Sequence, residues 1–111
     1  MLATLITIVL LVSLAVSSAA QTSAALQGYV YDVSGAVVPG ATVSVRSEDS
    51  GFDRSVAADA EGRYNLIGIP AGSYLVITEA PGFRSETIEE LIVDVGRTIV
   101  RDFRLDIGNS R

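Results

Sequence analysis

The side chains available for chemistry are few, and the missing ones narrow the choice most. The chain of 111 residues contains no His, Cys, Trp or Lys, and its eight basic residues are all Arg. A serine or cysteine nucleophile needs a neighbouring base to activate it, most often an imidazole. Zinc hydrolysis draws on His ligands and a Glu base, and an internal isopeptide bond of the adhesin kind needs a lysine amine. None of these centres can be assembled from the residues present, so the expectation is a protein that is not an enzyme and holds no metal or cofactor.

Among the acids, Asp59-Ala60-Glu61-Gly62 places carboxylates at alternate positions before a glycine, faintly like the start of a calcium loop. A full loop needs more oxygen ligands and a closing bidentate Glu, so the stretch reads as a polar β-turn. Glu48, Asp49 and Asp53 read as a solvated loop; Glu86, Glu89, Glu90 and Asp94 read as a solvated face that also guards a strand edge. The residues left with a binding role are Tyr29 and Tyr31, on the face opposite Val30. Exposed aromatic rings are what a sugar-binding sandwich stacks its ligand on. The alternative is that the pair only covers the outer face of an edge strand.

Charge narrows the partners. With 13 acidic against 8 basic residues the net charge is −5, and such a surface repels phosphate backbones, whose affinity comes largely from Lys and Arg displacing counterions. Nucleic acid is excluded as a partner. Hydrophobic residues make up 49% and charged residues 19%, a composition that folds rather than staying disordered. Without Cys there is no disulfide framework, so stability rests on the core.

Residues 2–16 form an apolar run, followed by Ser17-Ser18-Ala19-Ala20 and then polar Gln21-Thr22-Ser23. An apolar stretch of this length ending in small residues is the pattern of a secretory signal peptide, cleaved here between Ala20 and Gln21. A spanning helix needs about 20 apolar residues, and this run is shorter. Its start carries no Lys or Arg, which keeps an uncleaved anchor as the alternative. Residues 1–20 are thus read as a signal helix, 21–25 as a short leader, 26–106 as one domain and 107–111 as a tail. The protein is expected to be exported, to the periplasm, the outer membrane or the medium, and to touch a membrane only through an uncleaved signal segment.

The elements that position the tyrosines are strands. Ala41, Val43 and Val45 alternate with polar residues, as do Tyr64 and Leu66, and as do Ile99, Phe103 and Leu105. Residues 73–78 are nearly all apolar, which suits a central strand covered on both sides. Turn residues recur at short intervals, among them Asp32-Val33-Ser34-Gly35, Pro39-Gly40, Pro70-Ala71-Gly72 and Pro81-Gly82. About seven short strands at such spacing make an all-β, antiparallel sandwich.

These residues carry a resemblance. Gly28-Tyr29-Val30-Tyr31-Asp32 followed by Pro39-Gly40-Ala41-Thr42-Val43 resembles the opening of a carboxypeptidase regulatory-like domain. Asp59-Ala60-Glu61-Gly62-Arg63-Tyr64, Ile69-Pro70-Ala71-Gly72-Ser73-Tyr74 and Pro81-Gly82-Phe83 are similar to the family's middle signatures, in order, with Ile69 in place of the usual Leu. The resemblance implies a prealbumin- or transthyretin-like sandwich. It also implies that the motif residues specify a fold: Gly62 and Gly72 close turns ahead of core tyrosines, and Pro39 and Pro70 stand where a strand begins. Residues 93–105 resemble the last strands of this domain at the N-terminus of Oar-like, TonB-dependent outer-membrane receptors, where a plug and barrel follow. In that pattern Arg101 takes an inward apolar position, so it is expected to snorkel at the sandwich edge or pair with an acid. The function implied is a non-catalytic accessory domain, a stand-alone protein or the truncated extension of such a receptor, contacting protein partners at the cell envelope. A carbohydrate-binding module is the alternative.

Overall fold

Period-two alternation becomes eight strands in the computed structural model, which describes residues 23–108; no helix lies among them. They are β1 (Ser23–Asp32), β2 (Thr42–Arg46), β3 (Asp53–Ala57), β4 (Arg63–Pro70), β5 (Gly72–Glu79), β6 (Glu86–Val93), β7 (Thr98–Val100) and β8 (Phe103–Leu105). Two sheets face each other. The first has β1 in the middle, with β4 on one side and β7 and β8 end to end on the other; the second runs β3-β2-β5-β6. Because β7 and β8 together make one interrupted strand beside β1, the sandwich has seven strand positions. All pairings are antiparallel except those of β1 with β7 and β8, which are parallel. The signal segment and the bond between Ala20 and Gln21 lie outside the described residues.

The core fills the space between the sheets. Leu26, Val30, Tyr64, Leu66, Phe103 and Leu105 come from the first sheet, Val43, Val45, Tyr74, Val76 and Val93 from the second, and all are buried. Fully burying side chains of this size contributes about 1.5–3 kcal/mol each, which is how a chain without cross-links stays folded. Thr78 stands among them with its hydroxyl buried and unpartnered.

Two turns of the first sheet use one device. Asp32 Oδ1 accepts from the backbone N–H groups of Ser34 and Ala36 at 2.9 and 3.1 Å and from the Ser34 hydroxyl. Asp59 Oδ1 accepts from Glu61 and Arg63 in the same way, at 3.0 Å each. In each case the glycine three residues on donates to the aspartate carbonyl at 3.0 Å. Gly62 has φ of +77°, and a Cβ there would stand 2.8 Å from that of Val37, so no other residue closes this turn without strain. Asp59 is therefore a turn residue whose carboxylate caps its own backbone, as the polar-turn reading has it.

Several sequence expectations are corrected. Residues 73–78 do form a central strand, but its cover is one-sided: Tyr74, Val76 and Thr78 are buried, whereas Leu75 and Ile77 are only half-buried. Pro70 ends β4 rather than opening a strand. There it lacks only an N–H that the ladder no longer needs, and its carbonyl accepts from the Tyr74 hydroxyl at 2.5 Å. The strand β1 starts at Ser23, with Ala24 buried, so the stretch read as a leader, 21–25, ends inside a strand. At the other end Ile107 bridges to Phe83. Gly68 is the extra residue of a bulge, since Ala24 pairs with Ile69 and Ala25 with Ile67.

Candidate functional site

The candidate site is the outer face of the first sheet. Side chains alternate along β1, so with Leu26 and Val30 in the core, Gln27, Tyr29 and Tyr31 point outward. The Tyr29 and Tyr31 rings are nearly parallel, 25° apart, with centroids separated by 5.9 Å. Tyr29 is 38% exposed, enough to leave part of its ring for a ligand. The strand they occupy is interior to its sheet, with partners on both sides, so the alternative of an edge-strand cover does not apply.

Register supplies their neighbours. Across β4, Arg63 lies opposite Tyr29 and Asn65 opposite Gln27. Across the parallel pairings, Val100 lies beside Gln27 and Arg104 beside Tyr31. Partners in register share a face, so Arg63, Asn65, Val100 and Arg104, all exposed, surround the tyrosines. Gln27, Tyr29, Arg63, Val100 and Asp102 line a shallow, open depression of about 300 Å³.

The backbone beneath Tyr29 is fixed by an interruption of the ladder. Between β7 and β8 the Arg101 carbonyl turns into the space over Gly28, where a Cβ would meet that oxygen at 2.0 Å. Only glycine fits there. Three bonds replace the lost ladder: Arg101 N–H to the Gln27 carbonyl at 2.8 Å, Tyr29 N–H to Asp102 Oδ1 at 2.9 Å, and the Tyr64 hydroxyl to the Arg101 carbonyl at 2.5 Å. Burial pushes the Tyr64 phenol far above its ordinary pKa, with the nearby Asp102 charge acting in the same direction. The phenol is thus a fixed hydrogen-bond donor. The same interruption resolves Arg101: its side chain is exposed, because the chain leaves strand geometry at the one position where alternation would have turned it inward.

Of the residues singled out in the sequence, Tyr29 and Tyr31 are brought together as a pair. Glu86, Glu89 and Glu90 lie exposed on β6, an edge strand, well placed to discourage edge pairing. Among the described residues no three His, Cys, Asp or Glu side chains are grouped closely enough to hold a metal ion. Sequence reasoning missed Arg63, Asn65, Asp102 and Arg104, since only the pairing of β1 with β4 and β8 sets them beside the tyrosines.

Fold and face together define a small β-sandwich domain with an open, aromatic and cationic sheet surface. The chain belongs to the carboxypeptidase regulatory-like domain family, whose model matches residues 25–106. No curated protein matches it in sequence. Among solved structures it is similar to wild-type catechol 1,2-dioxygenase of Acinetobacter radioresistens, with a TM-score of 0.63 and 13% identity over 85% of this chain and 55% of that one. It is also similar to a provisionally assigned carbohydrate binding protein of Bacteroides uniformis, with a TM-score of 0.61 and 23% identity over 74% of this chain and 40% of that one. A third is the TIE protein of Bacillus anthracis, with a TM-score of 0.61 and 25% identity over 78% and 17%. The chain spans about half the length of the Acinetobacter dioxygenase, and at 13% identity that likeness shows the fold alone.

Proposed function

We propose that this domain is a non-catalytic interaction module of an exported protein and that it engages a partner at the cell envelope through the outer face of its first sheet. The observation that carries the reading is the Tyr29–Tyr31 pair, near-parallel and partly exposed on an interior strand, with Arg63 across the ladder. A tyrosine pair on a sheet face adds modestly to stability, and binding faces are enriched in Tyr and Arg. The lack of His, Cys and Lys supports the absence of catalysis. Export rests on the apolar run of residues 2–16 and the small residues before Gln21. The likeness of residues 93–105 to Oar-like receptors supports a place as the leading extension of a TonB-dependent receptor. An in-frame or frameshifted plug and barrel in the DNA beyond Arg111 is the expected finding, and unrelated sequence there would remove that part.

The test of the function is retention of the exported chain on envelope material from the producing cell. Tyr29→Ala with Tyr31→Ala is expected to abolish retention; unchanged retention would refute the use of this face. Intact mass of the exported chain is expected to place its first residue at Gln21, and a retained Met1 would contradict cleavage. A carbohydrate-binding module is a second reading, favoured by the same ring pair and supported by the likeness to the Bacteroides protein.

A further inference from the structure

We infer that the Tyr29–Tyr31 face takes an acidic glycan, a sugar chain bearing carboxylates; the inference rests on the reading that this face binds. Three kinds of group meet there, and each suits a different part of such a ligand. The tyrosine rings offer apolar surface to the C–H face of a sugar ring. The amides of Gln27 and Asn65, register partners on the outer face, both donate and accept and so suit hydroxyl groups. Arg63 opposite Tyr29 and Arg104 beside Tyr31 offer guanidinium forks, which bind carboxylates in two-pronged fashion.

Those two arginines have no structural employment. Among the described residues the ion pair is Arg46 with Asp53, at 3.5 Å on the other sheet. Asp102, which lines the same depression as Arg63, holds the Tyr29 N–H through Oδ1 and forms no ion pair with either arginine. The charge distribution favours an anion at the first sheet over the second. The chain carries −5 overall, yet the strands of the second sheet hold Asp53, Glu79, Glu86, Glu89 and Glu90 against Arg46 and Arg54, whereas those of the first hold Asp32 against Arg63 and Arg104. An acidic ligand is therefore steered toward the first sheet. The depression beside Tyr29, about 300 Å³ and open to solvent, suits a ring lying flat. An acidic peptide would use the arginines and amides but offers no sugar C–H face to the tyrosine rings.

The test is calorimetric titration of the exported chain with oligogalacturonate, with a neutral cello-oligosaccharide of equal length, and with a poly-glutamate peptide. Oligogalacturonate is expected to bind at least tenfold more tightly than the neutral sugar, more weakly as salt is raised. Arg63→Gln with Arg104→Gln is expected to erase that preference. Tyr29→Ala with Tyr31→Ala is expected to lower affinity about tenfold or more, and Ser55→Ala on the opposite sheet to leave it unchanged, with thermal unfolding of each variant confirming the fold. Equal binding of acidic and neutral sugars, no binding at millimolar oligogalacturonate, or poly-glutamate binding as tight as that of the sugar would each overturn the inference. If oligogalacturonate fails while the tyrosine variants still lose envelope retention, the sugar falls and the binding face stands. If neither changes, both fall.

Discussion

The two sheets bury the same kind of surface and expose different kinds. Inward, each contributes aliphatic residues around one deeply placed tyrosine, Tyr64 in the first and Tyr74 in the second. Each phenol donates to a backbone carbonyl, Arg101 or Pro70, at 2.5 Å. Outward, the second sheet mixes the aliphatic side chains of Leu75, Ile77 and Ile92 with polar and acidic groups, including a Ser44–Ser55 hydroxyl contact at 2.9 Å and the Arg46–Asp53 pair. The first shows two tyrosines and two unpaired arginines. Burial constrains inner faces to similar answers in both sheets, whereas solvent leaves outer faces free; scattered aliphatics occur on both outer faces, and what the first has alone is a tyrosine pair flanked by arginines.

The comparison breaks first at Gly28. A Gly28→Val change drives a side chain into the Arg101 carbonyl, whereas at Gly72, the glycine of the second sheet, a Cβ would meet only the Tyr74 ring at 3.6 Å. The expected loss is above about 4 kcal/mol, or failure to fold, read by urea unfolding. A well-folded variant would mean that the ladder interruption is not fixed.

Tyr64→Phe leaves the Arg101 carbonyl without its donor and is expected to cost about 1–3 kcal/mol. Tyr74→Phe frees the carbonyl of Pro70, an exposed residue at a strand end, where water can replace the phenol at about 1 kcal/mol or less. Equal losses would erase the difference between the two phenols. The pH profile separates them as well. Burial raises the Tyr64 pKa above its ordinary value of 10.0, so the folded state holds a proton that the unfolded chain releases. Its contribution is complete below pH 10 and falls as the pH rises further, and Tyr64→Phe is expected to flatten that decline.

At the acid end the sign reverses. The Ser34 hydroxyl bond, with backbone N–H bonds from Ala36, Ser34 and Gly35, holds the Asp32 carboxyl below its ordinary 3.8 despite some desolvation. Its stabilising part is present above that pH and disappears as the pH falls through the lowered value. Asp32→Asn is expected to reduce the acid dependence of the melting temperature. The smallest effects belong to the outer faces. Ser44→Ala is expected to change stability by under about 0.5 kcal/mol, and Tyr29→Ala with Tyr31→Ala by about 1 kcal/mol or less. A large loss from the tyrosine pair would make those rings structural and remove the case for binding.

Alternation and turn chemistry made most of the fold legible in the sequence. Val43, Val45, Tyr64 and Leu66 are buried where period two puts them, and the Asp-x-x-Gly turns at Asp32 and Asp59 cap themselves through local bonds that neighbouring residues dictate. What stayed hidden was non-local. The break between β7 and β8, the exit of Arg101 and the meeting of Arg63, Tyr29 and Asp102 depend on pairing between residues far apart in the chain. The tyrosines could be flagged as a pair, but their interior position and their arginine neighbours could not.

The chain has no cysteine of its own, which allows the central claim to be tested by single-site blocking. Asn65→Cys on the outer face of the first sheet and Ser55→Cys on that of the second, both at exposed positions, are each coupled to a bulky maleimide and assayed for retention on envelope material. Blocking position 65 is expected to abolish retention and blocking position 55 to leave it intact. Loss at position 55 with retention at position 65 would contradict the account.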